Sequence, residues 1–394
     1  MPTPEVYVVS AARTAIGSCG GSLKDVPMLQ LATTAVRAAI ERSGCPVESI
    51  GHVVMGNVIP TTPQDAYVSR VAAINSGVPR ETPAFNVNRL CGSGLQAIIS
   101  AAQCLLVGDA DIVVGGGVES MSRSPYMLPG ARWGGRLGDM QAIDYMLGVL
   151  HDPFHHIHMG ITAENISQRL GISREEQDAQ ALESHQRATR AIANGYFREQ
   201  IVPIEIQTRK GNQLFEVDEH ARADTSLEQL ARMKPVFKQD GTVTAGNSSG
   251  LNDGAAAVVL ASDAAVKANN LLPLARLVSY AHAGVEPQLM GLGPIPATRL
   301  ALKRAGLKVS DLDVIESNEA FAAQACAVAR ELDFDLAKAN PNGSGISLGH
   351  PVGATGAIIA TKAIHELHRT QGRYALVTMC IGGGQGIAAI FERT

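Results

Sequence analysis

No stretch of this 394-residue sequence runs to eighteen uninterrupted apolar residues, the length a membrane helix needs. A membrane span is therefore not expected. Lysine and arginine never gather into a stripe and the formal net charge is −4, so the phosphate footprint of a nucleic-acid binder is missing. The chain start, Met1 to Pro4 and then a strand-like Glu5 to Ser10, has neither a basic leader nor an apolar signal core. A cytoplasmic location is expected. The cysteines Cys19, Cys45, Cys91, Cys104, Cys326 and Cys380 include no CxxC pair and lack the dense spacing of a disulfide framework, so they read as reduced thiols. The glycine runs hold no GxxxxGK(S/T), and no GxGxxG opens a βαβ unit with an acidic residue after the next strand. Nucleotide binding of those kinds is excluded.

What is present is a globular balance, 45% apolar and 18% charged residues, in a chain too long for one ordinary core. Two or three packed units follow. A repeat organises them. Ala35 to Val53 passes through Gly44, Val47 and Ile50; Ala297 to Ile315 passes through Gly306, Val309 and Leu312 at a constant offset. Each copy reads as an alanine-rich helix stopped by glycine, a turn and an apolar strand. A second matched pair follows, the glycine-led apolar helices Gly92 to Leu106 and Gly353 to Leu367. Apolar nearly all round, they suit burial between sheets. The strands after them, Asp111 to Val114 and Tyr374 to Met379, lead to the triple glycines Gly115 to Gly117 and Gly382 to Gly384. The fold class is therefore α/β, two duplicated halves packed about a pseudo-twofold axis. Between about Glu119 and Ser249 the repeat disappears, and this inserted stretch has its own helix from a Ser173/Glu176 capping box to Ala193.

Four segments can carry chemistry. Cys91, in NRLCGSG, precedes a helix start, where unpaired N–H groups and the dipole are expected to lower a thiol pKa. The alternative is a small buried hydrophobe. His350, in SLGHPVGATG, nearly corresponds to Cys91 in the second half, so symmetry brings the two together as a thiol and its base. Cys380 opens CIGGGQG, where glycines allow backbone N–H groups to converge on a ligand oxygen. A tight-packing turn is the alternative there. Asn318 and Glu319, in SNEAF, follow a strand, the place where α/β proteins put polar site residues. Asn318 either holds an oxygen or caps a turn. The histidines of HDPFHHIHMG (His151, His155, His156, His158) have no companion carboxylate or cysteine at ligand spacing, and no metal site is expected.

NRLCGSG, SNEAF, GHPVGATG and CIGGGQG, in that order, resemble the thiolases over essentially the whole chain. GGSLKDV, AGNSSGLNDGAA and HMGITAEN look like the short-chain biosynthetic members, acetyl-CoA C-acetyltransferases, and HDPFH is similar to bacterial broad-chain β-ketothiolases. The resemblance implies a layered αβαβα core, with residues 1–118 plus 250–272 as the N-terminal half, 119–249 as an inserted loop domain for CoA binding and tetramer contacts, and 273–394 as the C-terminal half. It implies Cys91 as the acyl-accepting nucleophile, His350 as its activator and Cys380 as the acid–base thiol. An oxyanion site would be formed by the N–H groups of Cys91 and Gly382, and an enolate site by His350 with a water on Asn318. His158, Met159, Met290, Ala320 and Phe321 would line the acyl-end pocket, with Ser249 near the pantetheine and Arg222 near the adenine; plain core roles compete for the Met and Phe positions. The substrates implied are acetyl-CoA and short acyl-CoA or 3-oxoacyl-CoA, with no covalently bound cofactor. The assembly implied is a homotetramer, a dimer of dimers joined by the loop from Ser124 to Gly138. The expected reaction is reversible Claisen condensation through an acyl-cysteine; a degradative 3-ketoacyl-CoA thiolase of longer chain range is the alternative.

Overall fold

The computed structural model describes residues 5–135, 137–209 and 211–394. Nine strands organise it: β1 (Val6–Thr14), β2 (His52–Gly56), β3 (Ala84–Val87), β4 (Ile112–Ser120), β5 (Asn252–Ser262), β6 (Ala275–Gly284), β7 (Val314–Ser317), β8 (Tyr374–Ile381) and β9 (Gln385–Arg393). They lie in the order β7-β8-β9-β6-β1-β5-β4-β2-β3. Read from the junction outward, the halves have the same order, β1-β5-β4-β2 and β6-β9-β8-β7. The junction is slight. β1 and β6 pair antiparallel through Tyr7 with Arg276 and Val8 with Ala275.

Helices α1 (Met28–Ser43), α2 (Ser93–Val107), α3 (Met159–Leu170), α4 (Arg174–Ala193), α5 (Pro294–Ala305), α6 (Ala322–Glu331) and α7 (Val352–Thr370) complete the frame. α1 covers the first half's sheet and α5 the second's, while α2 and α7 pack on each other between them, with α7 touching strands of both halves. The layers are thus αβαβα. The glycines seen in the repeat end α1 and α5: Gly44 and Gly306 take left-handed φ values of 71° and 69°, which a side chain would strain.

The central pair explains why the sites converge. A Cβ on Gly94 would lie 2.7 Å from the backbone N of Ala357, and one on Gly356 would lie 2.3 Å from that of Leu95. Two glycines at matched positions therefore let the helices cross in backbone contact near their amino ends. Leu95, Ile98 and Ile99 are fully or almost fully buried beside the crossing, each contributing about 1.5–3 kcal/mol. The segment Leu90–Val107 has a mean hydropathy of 1.6 over 18 residues, enough by length and composition for a membrane span, although it is not an uninterrupted apolar run. Here it is the middle layer of the fold.

One expectation about the strands needs correcting. Gly115 to Gly117 do not follow a strand; they lie inside β4, whose pairing with β5 runs on to Ser120. The inserted stretch does contain the capped helix: in α4 the Ser173 hydroxyl accepts from the Glu176 N–H and the Glu176 carboxylate from the Ser173 N–H. In the loop from Ser124 to Gly138, Tyr126, Leu128, Trp133 and Leu137 are exposed, while Arg136 lies outside the described residues, as do Met1 to Pro4.

Candidate active site

Two loops meet at the crossing of α2 and α7. On the first, Leu90 is held at φ 47°, an unfavourable value for a residue with a side chain. Ser93 clamps it: its hydroxyl donates to Leu90 O at 2.6 Å and accepts from Arg89 N–H at 2.9 Å. The turn delivers Cys91 to a cavity of about 410 Å3. On the second loop Gly349, at φ 104°, packs against the amide of Asn252, and that amide's Oδ1 accepts the His350 N–H at 2.9 Å. His350 lines the same cavity. The pairing expected from symmetry is thus realised.

The tautomer of His350 follows from its neighbours. Nδ1 lies 2.7 Å from the Thr355 hydroxyl, and that hydroxyl donates to Pro351 O at 2.9 Å. Its one proton being committed, it must accept from Nδ1–H, which leaves Nε2 as the basic nitrogen. Nε2 is buried and makes no hydrogen bond within the chain. Burial also lowers the imidazole pKa from 6.5 to about 4, so the ring is neutral near pH 7.

The thiol contradicts its expectation. Burial pushes Cys91 up to about 11, although the N–H groups of Gly382 and of Cys91 itself pull the other way. Desolvation outweighs the helix terminus, so Cys91 rests as a thiol that needs a base. The same two N–H groups are the pair that the resemblance names as oxyanion donors, and both face the Cys91 sulfur. Cys380, fully buried on β8, is pushed well above the usual thiol range by burial and then by the nearness of Cys91. It does not line the cavity but sits behind its wall, packed with Met159, Met290, Ala320 and Phe321.

Of the other expected residues, Gly382, His158, Met159, Met290, Ala320, Phe321 and Ser249 all line the Cys91 cavity. His158 stacks on Phe237 with ring centroids 4.6 Å apart, and Phe237 meets Phe321 edge-on. Asn318 is fully buried, and neither of its amide atoms has a hydrogen-bond partner among the described residues, which leaves the turn-cap alternative without its bond. Arg222 is not in this cavity. It lines an adjoining one of about 370 Å3 with His185 and His220, and Ser248 and Gly250 border both. Glu319 faces away, accepting from the Ser184 hydroxyl at 2.6 Å and Gln180 Nε2 at 2.9 Å, and so ties the SNEAF loop to α4. His151 meets His158 through an isolated antiparallel bridge and an edge-on ring contact, and no group of three potential metal ligands occurs among the described residues.

Sequence reasoning missed Asn252 and Ser93 as supports, although both stand inside quoted motifs. It also missed Glu119, considered below.

Residues 6–264 match the family description "Thiolase, N-terminal domain" and residues 271–393 match "Thiolase, C-terminal domain". The chain belongs to the thiolase family. Over 392 residues, covering 99% of this chain and 100% of the relative, it is 64% identical to beta-ketothiolase BktB of Cupriavidus necator. Among solved thiolases, human mitochondrial 3-ketoacyl-CoA thiolase superposes with a TM-score of 0.98 at 47% identity, covering 100% of both chains. The Bacillus anthracis acetyl-CoA acetyltransferase gives 0.97 at 46%, covering 100% of this chain and 99% of that one.

Proposed function

We propose that this thiolase is an acyltransferase of the biosynthetic β-ketothiolase kind, joining acetyl-CoA to acetyl-CoA or another short acyl-CoA and reversing the step by thiolysis. The observation that carries the reading is one cavity in which a thiol and a neutral, correctly protonated imidazole meet two converging N–H groups, with a second thiol directly behind.

His350 Nε2 takes the Cys91 proton as sulfur attacks the thioester carbonyl. The tetrahedral oxygen is held by the N–H groups of Cys91 and Gly382. Its collapse breaks the bond to the CoA sulfur, which leaves with the proton of Cys380. Acyl-Cys91, a Cys380 thiolate and a His350 imidazolium remain. A second acetyl-CoA then gives its α-proton to Cys380, whose raised pKa makes it a strong base. The enolate oxygen is held by the imidazolium and through Asn318, and the carbon attacks acyl-Cys91. Expulsion of the Cys91 thiolate, reprotonated by His350, restores the enzyme. Two thiols are needed because one is acylated while the other moves a proton.

The tight Met and Phe wall around the Cys91 end favours short acyl groups, and the adjoining Arg222 cavity receives the nucleotide end of CoA. We further assign residues 119–249, together with the exposed apolar loop around Trp133, to CoA binding and contacts in a homotetramer, and place the enzyme in the cytoplasm. Thiolysis of acetoacetyl-CoA, 3-oxovaleryl-CoA and 3-oxohexanoyl-CoA tests the reading. Turnover is expected on the first two. Failure on all three overturns it, whereas a marked preference for the longest supports the degradative alternative.

A further inference from the structure

Glu119 takes no part in that scheme, yet its carboxylate accepts four hydrogen bonds beside the site. It lies near the end of β4, fully buried. Oε1 accepts from Ile59 N–H at 2.9 Å and Asn57 Nδ2 at 2.8 Å; Oε2 accepts from Gly353 N–H at 2.7 Å and Val58 N–H at 3.2 Å. Every partner is an N–H donor. A protonated carboxyl would aim its O–H at one of them, so this geometry requires the anion despite the upward pressure of burial.

Its compensation comes from the other half of the molecule. α7 begins at Val352 with Pro351 before it, and no side chain from the N-cap position bonds its free N–H groups. Glu119 supplies that bond from across the central layer and sits at the positive end of the helix dipole. A Cβ on Gly353 would come 2.6 Å from Oε2, so the glycine is what admits the carboxylate. The held segments matter for catalysis: Val58 and Val352 line the cavity, and His350 lies three residues before Gly353. The first half thus holds the base of the second at two points, Asn252 on the His350 N–H and Glu119 on the start of α7.

We propose that Glu119 is a positioning residue of the thiolase reaction, capping α7 in trans and thereby fixing His350 relative to Cys91. This inference rests on the thiolase reading, and the test separates the two.

In the full chain, Glu119→Gln keeps the shape but turns an amide N–H toward a shell of donors. The expected result is a kcat lower by about 10- to 100-fold with KM for acetoacetyl-CoA within about threefold, because misplacement rather than binding is affected. Alkylation of Cys91 by iodoacetamide at neutral pH, followed by intact mass, is expected to slow by about 10-fold, since a displaced His350 no longer takes the thiol proton. A purely structural role would lower the fraction of alkylatable enzyme without changing the rate of that fraction. Asn57→Ala, which removes one donor, serves if Glu119→Gln does not fold; a kcat loss of about 3- to 10-fold at unchanged KM is expected. Native kcat and a native alkylation rate in the folded Gln variant, or native kcat in Asn57→Ala where the Gln variant does not fold, overturn the proposal. Alkylation needs no substrate, so a wild-type protein lacking thiolysis activity would sink the functional reading while leaving the Cys91 measurement intact.

Discussion

The two triple glycines follow matching helices in the two halves, yet they do unlike work. Gly115 to Gly117 are inside β4, where side chains would strike helix and strand backbone: a Cβ on Gly115 meets Ile98 Cα at 2.8 Å, and one on Gly117 meets Gly353 O at 2.3 Å. They are thin so that α2 and α7 can lie on the sheet. Gly382 to Gly384 fall just beyond β8, in the turn to β9, where Gly383 and Gly384 take φ values of 80° and 83°. They turn the chain so that the Gly382 N–H faces Cys91, and Gly384 packs as well, since a Cβ there would lie 2.3 Å from Val285 O. A duplicated frame has thus been divided, one half keeping glycine for packing alone and the other also for chemistry. The same division holds for the loops, because the first half gives the nucleophile and the second gives His350, Asn318, Cys380 and Gly382.

The sharpest way to break that division is to remove one thiol from each half. Cys91→Ala is expected to lower turnover by roughly 10⁴-fold or more and to abolish acyl-enzyme in intact mass spectra, as loss of a nucleophile does. Cys380→Ala is expected to lose about 10²- to 10⁴-fold in condensation while still accumulating acyl-Cys91, more slowly than the parent because the CoA sulfur then leaves without the Cys380 proton. An unacylated Cys380→Ala enzyme would mean that the halves do not divide the steps this way. Next comes Asn318→Ala, with a loss of about 10²- to 10³-fold in kcat and no fall in melting temperature, because its amide has no partner in the fold to lose.

Smaller effects separate the glycine sets. Gly117→Ala is expected to cost about 1–3 kcal/mol in urea unfolding, since its methyl meets unyielding backbone. Gly382→Ala meets only the flexible ends of Leu90 and Met159, 3.3 and 3.6 Å away, and should stay within about 0.5 kcal/mol of the parent. Equal losses would erase the distinction. The least change is expected from acid. His350 binds its proton only near pH 4, so kcat/KM for acylation should fall by less than about twofold between pH 7.5 and 5.5; a histidine at its ordinary 6.5 would lose about tenfold.

Much of this was legible in the sequence. The repeat could be read because Gly44 and Gly306 must both adopt left-handed φ, and the α4 cap because Ser173 and Glu176 are close in sequence. Cys91, His350 and Cys380 were each found from a local motif. What the sequence did not show depended on contacts distant along the chain. The Cys91 pKa turned on burial created by both halves, which no helix-start argument contains. Glu119 looks like any acid after a strand until Gly353, far along the chain, is folded against it. Arg222 and the Met and Phe wall came from the family resemblance, but their separation into two adjoining cavities needed the fold.

The crossing of α2 and α7 has a consequence for how the protein is made. A ribosome emits α2 first, and its partner follows roughly 260 residues later, some tens of seconds at ~5–20 residues per second. β4 likewise waits for β5 to close its sheet. Throughout that interval the newborn chain carries an apolar helix with the hydropathy of a membrane span whose face toward α7 is uncovered. The feature that brings the catalytic loops together is thus also the one that makes synthesis hazardous, and a cell producing this enzyme quickly must shield that segment until the second half arrives.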